Sequence, residues 1–197
     1  MKTVLTILFT LSFIVTSFCQ SKNEPTEHMT FKGVPIDGTL SEFVLKMKDS
    51  GFESTASEDG VALLKGDFAA YKGCIIGVAT LKGKDLVSKI TVIFPEHETW
   101  STLASNYYNL KELLTEKYGE PSKEVEKFDT YSDPDDDGDR MYEVKMDNCK
   151  YYTLFETDNG GIQLSIDHDG VVSCFVTLSY FDKINREKIR DKAIDDL

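Results

Sequence analysis

The sequence predicts an α+β protein made of two tandem units, each a helix followed by an antiparallel meander. Three observations carry that expectation. Thr99–Pro121 reads as one long amphipathic helix. Thr39–Phe52 repeats the signal on a shorter scale. Both are followed by strand-like runs whose connections are too short for parallel crossovers, which leaves antiparallel pairing.

In the long helix, Trp100, Leu103, Tyr107, Leu110 and Leu114 recur at steps of three and four and so share one face. Gly119 can adopt the positive φ that ends a helix, and Pro121 forbids its continuation. In the shorter helix, Thr39 and Glu42 fit a capping box, and Leu40, Phe43, Val44 and Met47 form the apolar face. Gly51 stops it.

Residues 1–19 read as a secretory leader. Lys2 supplies the positive start and Val4–Phe18 the apolar run, with Ser17 and Cys19 placing cleavage before Gln20. A rival reading is a lipid-anchored Cys19, which Phe18 disfavours because a lipobox has small residues just before its cysteine. The expected location is therefore outside the cytoplasm, periplasmic or secreted. Residues 20–30 are polar and read as a disordered linker.

The first unit spans 31–97. Strands are expected over Phe52–Ser57, Val61–Ala69, Gly73–Leu81 and Leu86–Phe94, separated by Glu58-Asp59-Gly60, Tyr71-Lys72-Gly73 and Lys82-Gly83-Lys84-Asp85. The apolar residues on both faces of Val61–Ala69 suit a central strand. The second unit spans 98–181. Ser122–Tyr131 suits a charged edge strand. Tyr142, Val144 and Met146 alternate with charged residues as a half-buried strand would. Tyr151–Glu156, Ile162–Asp167 and Val172–Tyr180 complete the meander, with a hairpin turn at Asp158-Asn159-Gly160-Gly161. Residues 182–197 form a polar tail that can hold a short helix over Ile184–Ala193.

This order of helix and meander, given twice, resembles the β-lactamase-inhibitor-protein-like architecture. The helix end Lys117-Tyr118-Gly119-Glu120-Pro121 resembles the helix-to-strand corner of small outer-membrane assembly lipoproteins of that shape. The opening from Phe31 to Thr39 resembles a type of uncharacterised exported bacterial protein. The resemblance implies a protein that binds other proteins and does not catalyse; no partner-contact residue carries over from it. The alternative architecture is a single-sheet α+β fold of the cystatin or PepSY-like kind, with both helices on one face.

Composition narrows the function classes. The chain of 197 residues carries a net charge of −12, and without Lys2 the balance is 21 basic to 34 acidic residues. That sign argues against nucleic acid and anionic membrane as partners. No second apolar run of spanning length follows the leader, so no membrane insertion is expected once it is removed. Another protein is the expected partner. Cys74, Cys149 and Cys174 lack Cys-x-x-Cys spacing, which removes thioredoxin-like chemistry. An exported chain with three cysteines has room for one disulfide and one leftover thiol, in a pairing the sequence leaves open.

The sharpest motif is Asp133-Pro134-Asp135-Asp136-Asp137-Gly138-Asp139. Alternating carboxylates ahead of a glycine are how calcium loops begin. Asp133, Asp135, Asp137, Asp139 and Glu143 are the candidate calcium ligands, although the twelfth loop position falls on Val144 and Glu143 is one residue short. A calcium-binding or calcium-stabilised protein is therefore the second functional reading; otherwise the segment is a solvated acidic loop. His28, His97 and His168 have no helical histidine partner and read as exposed. No nucleophile elbow, phosphate loop or His-Glu-x-x-His is present, so a small hydrolase using paired carboxylates ranks third. In the adjacent pairs Tyr107-Tyr108 and Tyr151-Tyr152, one ring must turn inward and one outward.

Overall fold

The structure is a computed structural model, and it describes residues 27–81 and 84–195. The predicted leader, most of the linker and part of the turn at Lys82-Gly83 lie outside the described residues. In chain order the elements are β1 (Thr30–Phe31), β2 (Val34–Pro35), α1 (Leu40–Asp49), β3 (Glu53–Glu58), β4 (Val61–Phe68), β5 (Tyr71–Thr80) and β6 (Val87–Ile93). There follow α2 (Trp100–Tyr118), β7 (Lys123–Phe128), α3 (Asp137–Lys145), β8 (Cys149–Thr157), β9 (Gly160–Asp169), β10 (Ser173–Asp182) and α4 (Lys183–Asp195). The mixed α+β class is as the sequence predicts. No described helix is long and apolar enough to cross a membrane.

Both meanders lie in one antiparallel sheet of eight strands, ordered β3-β4-β5-β6-β10-β9-β8-β7. The last strand of the first meander pairs with the last strand of the second. Strand order is therefore palindromic about the β6–β10 seam, which runs from Thr177 opposite Ile93 to Phe181 opposite Lys89. α1 packs on β3, β4 and β5, and α2 packs on β8, β9 and β10.

α1, α2 and α3 cover one face of the sheet. Ala62, Leu64, Cys74, Ile76, Val78, Ile90, Val92, Val176, Leu178, Leu164 and Phe155 point to that face and are buried in a single core. The predicted face of α2 is the buried one: Trp100, Leu103, Tyr107, Leu110 and Leu114 are all inside. Tyr107 turns inward and bonds the buried Thr153 hydroxyl, while Tyr108 stays exposed. Gly119, with φ of +84°, ends the helix. The capping box of α1 is formed in full, Glu42 and Thr39 each bonding the other's amide. β4 is interior to the sheet but packed on one face only, so Val61 and Leu63 remain exposed.

Two expectations are corrected, and the one left open at the cysteines is answered. The run Tyr142, Val144, Met146 closes a helix, with Met146 as its C-cap, and is not a strand, because Asp136 caps α3 and Met141 and Val144 supply its buried stripe at a spacing of three. Residues 28–30 are not linker: Met29 is buried, and its carbonyl accepts from the Ile36 amide. Cys74, Cys149 and Cys174 form no disulfide; all are free thiols, and Cys74 and Cys174 act as small buried apolar groups.

Removing a core methylene group costs transfer free energy plus a cavity. Leu110→Ala or Leu114→Ala should therefore lower unfolding stability by about 2–5 kcal/mol in urea titration. A loss under about 0.5 kcal/mol, the level of surface changes, would mean the α2–sheet contact is misplaced.

Candidate functional site

Two carboxylates of the acidic motif serve the helices. Asp136 accepts from the Asp139 amide at 2.8 Å as the N-cap of α3. Asp137 reaches across to the start of α2, where its two carboxylate oxygens accept from the Trp100 amide at 2.9 Å and the Ser101 amide at 2.7 Å. Glu143 lies on α3 and accepts from the Asn148 side chain at 2.6 Å, closing the turn after the helix. Asp133, Asp135 and Asp139 are exposed. Among the described residues, no group of three or more histidine, cysteine, aspartate or glutamate side chains is gathered as a metal would need.

Asp137 titrates below the usual aspartate value. Desolvation, the largest single influence, pushes it up, but the donors of Ser101 and Trp100 and the charge of Arg140 together outweigh it. A depressed carboxyl stabilises the fold above its unfolded value and loses that contribution as pH falls through the folded value.

The histidines differ from their predicted exposure. His97 is partly buried, with Nε2 3.0 Å from the Asn106 side chain, and burial lowers its pKa. His168 turns Nδ1 to the Gly170 carbonyl at 2.7 Å. His28 is held between two carboxylates.

The other face of the sheet carries no helix layer, and cross-strand registers identify what it presents, because directly paired residues point the same way. One row runs Leu63, Gly77, Thr91, Ser179, Gln163 and Leu154. The next runs Ile75, Ile93, Thr177, Ser165, Tyr152 and Val125. The middle of the face is thus small and hydroxyl-rich, with Thr91 and Ser179 oxygens 3.0 Å apart and Gln163 donating to Ser165 at 2.9 Å. Apolar side chains flank it: Leu63 and Ile75 are exposed, and Ile93, Phe175, Phe181, Tyr152 and Leu154 are half-buried.

Charge separates across the sheet. β7 points Lys123 and Lys127 to the open face and Glu124 and Glu126 to the helix side, where both glutamates pair with Lys111 of α2 at 2.6 Å. Lys65, Lys89 and Lys150 join the open face, against Glu53, Glu58, Glu156, Asp167 and Asp169. That face is near charge balance in a chain of net charge −12, so the acidic excess lies elsewhere. Cations sit over its aromatic rings: Lys89 Nζ is 5.1 Å and the Arg186 guanidinium 5.8 Å from the Phe181 ring centre, and Lys123 Nζ is 5.3 Å from that of Tyr152. Two shallow hollows mark the face. One, of about 550 Å³, is lined by Ile75, Ile93, Pro95, His168 and Phe175. The other, of about 360 Å³, is lined by Leu154, Glu156, Gln163, Phe181 and Arg186.

Sequence reasoning predicts the strand over Leu86–Phe94 but does not assemble this surface. Its two halves meet only through the β6–β10 pairing. The local signal was the alternation Lys-Glu-Val-Glu-Lys in β7, which puts opposite charges on opposite faces of one strand.

Compared with known protein families, curated proteins and solved structures, the chain gives no match.

The cap on α2 gives a pH test. Between pH 6 and pH 3 the urea midpoint of the wild-type chain should fall, and Asp137→Asn should lower the pH 6 midpoint while shrinking the drop. An unchanged drop would mean Asp137 does not hold the α2 terminus.

Proposed function

We propose that the chain is an exported, non-enzymatic binding module that holds a partner protein on the open face of its sheet. The supporting observation is the composition of that face: eight strands wide, near neutral, with a small hydroxyl-rich middle and aliphatic and aromatic side chains around it. Charged residues are depleted at the centre of protein interfaces, and aromatic residues and arginine are enriched there. Tyr152, Phe175, Phe181 and Arg186 are the expected anchors, because large side chains on a rigid scaffold lose little entropy on contact. The acidic excess, which lies off this face, would stay in solvent and keep the complex soluble.

A photo-crosslinking residue placed at Ile75 or Phe175 should yield protein adducts in the exporting cell, and one at Leu113, exposed on α2, should not. With the captured partner in hand, Ile75→Lys combined with Phe175→Lys should weaken binding at least tenfold, about 1.4 kcal/mol. The thermal midpoint should stay close to wild type. Adducts only from Leu113, or full binding by the double variant, would remove the open face as the site.

A further inference from the structure

A glycine that the fold does not require opens the hollow under Arg186. One row of paired residues on the open face runs Val61, Ala79, Lys89, Phe181, Gly161 and Glu156. Gly161 is a strand residue of β9, and a missing side chain weakens a strand unless something must approach closely there. Its neighbour Gly160 has a packing reason, because a Cβ at that position would run into the Phe181 carbonyl. Gly161 has none. Its φ is not positive, and a Cβ would meet only ordinary van der Waals contacts, Arg186 Nη1 at 3.8 Å and the Phe155 carbonyl oxygen at 3.9 Å. What the glycine leaves is a gap in the row between Phe181 and Glu156, with the Arg186 guanidinium reaching over it.

The cations around that gap are not used up by the fold. Arg186 is exposed, and its guanidinium shares the Phe181 ring with Lys89. A guanidinium beside an aromatic ring keeps its planar fork of N–H donors, which matches a carboxylate two bonds at a time. Among the described residues, no carboxylate lies within ion-pair distance of Arg186, Glu156 included. A further hollow of about 370 Å³ adjoins on the α4 side. It shares Glu156, Gly161 and Arg186, and it adds Lys183 and Arg190 against Glu187. Four cations thus face two glutamates at this corner, a local positive excess in a chain of net charge −12. The excess belongs to side chains and not to the start of α4, where Asp182 already caps the helix by accepting from the Asn185 amide at 2.8 Å. Leu154 and Phe181 give the same corner an apolar wall.

We propose that this corner receives an acidic segment of the partner protein, in which an aspartate or glutamate side chain seats its carboxylate on Arg186 over Gly161 and an apolar neighbour lies on Phe181 and Leu154. The proposal rests on the open face being the docking surface and states what the partner brings to one end of it. Charge complementarity selects the occupant. A carboxylate finds an unpaired guanidinium with Lys183 and Arg190 beside it, whereas a basic segment would set its own cations against all three. The gap at Gly161 supplies the room, and the bidentate fit of guanidinium to carboxylate supplies the direction of approach.

Nitrogen-15 NMR titration of the purified chain tests this with the peptide acetyl-Leu-Glu-Leu-Glu-amide at fixed ionic strength. The Gly160 and Gly161 amides and the Arg186 Nε–H should shift saturably below about 10 mM peptide, the weak range expected of a single short contact. The neutral peptide acetyl-Leu-Gln-Leu-Gln-amide should bind at least tenfold more weakly, and so should the same neutral peptide with a free C-terminal carboxylate. Arg186→Gln should lose at least tenfold in affinity. Gly161→Val, which fills the gap without changing the charge, should lose as much. The proposal is overturned by the absence of saturable shifts with the acidic peptide, by equal binding of the neutral one, or by unchanged binding in Arg186→Gln. Tighter binding of the free C-terminal peptide would assign the corner to chain ends and overturn it too. Full binding by Gly161→Val would reduce the corner to diffuse charge attraction. If Gly161→Val shows a collapsed urea midpoint, Arg186→Gln decides alone. Crosslinked adducts at Ile75 or Phe175 without peptide binding would remove the acidic segment and keep the open face. Peptide binding without those adducts would remove the open face and, with it, a partner protein as the source of the carboxylate.

Discussion

Strands β6 and β10 are each the last of their meander, and their antiparallel pairing turns two four-stranded sheets into one. Apart, each would be an edge of unpaired N–H and C=O groups flanked by large apolar side chains, a template for aggregation. Together, they place Ile90, Val92, Val176 and Leu178 at the centre of a core shared by both units. The outer edges of the joined sheet are β3 and β7. Every residue of β3 is exposed, and β7 is rich in lysine and glutamate, so the strands left unpaired carry little apolar surface.

The same seam creates the open face. Ile75 and Ile93 come from the first unit, and Phe175, Tyr152 and Leu154 from the second. Only the β6–β10 register aligns them into rows. The helix side is fixed by different means. α2 is held by its apolar stripe, by the Thr99 cap and by Asp137 from α3, so two helices share one carboxylate at their N-termini. Negative charge there is favourable because the unpaired amides and the helix dipole both point at it. Two carboxylates of the acidic run, Asp136 and Asp137, thus work at helix ends.

Much of the fold was legible because its elements repeat locally. The periods of α1 and α2, their caps and the alternation in β6, β9 and β10 all lie within about ten residues of chain. α3 was misread because the residues at its C-terminal end, Tyr142 to Met146, also alternate. The deciding feature was the spacing of Asp136 and Asp139, a cap and the amide it receives, which also fits the start of a calcium loop. The seam, the open face and the His28–Asp182 pairing were not legible. Their partners are remote in sequence, His28 and Asp182 by 154 positions and Thr91 and Ser179 by 88, and no local pattern encodes them.

That the two meanders behave as one body is the claim on which the open face rests. The chain has a single tryptophan, Trp100, which packs against Phe128 and Tyr151 in the second unit, so its fluorescence reports that unit alone. Far-ultraviolet circular dichroism reports both. In an equilibrium urea titration the two signals should trace one coincident transition, as expected when neither unit survives loss of the other. Two separated transitions, with tryptophan emission changing while much of the dichroism persists, would show that β6–β10 does not bind the units together.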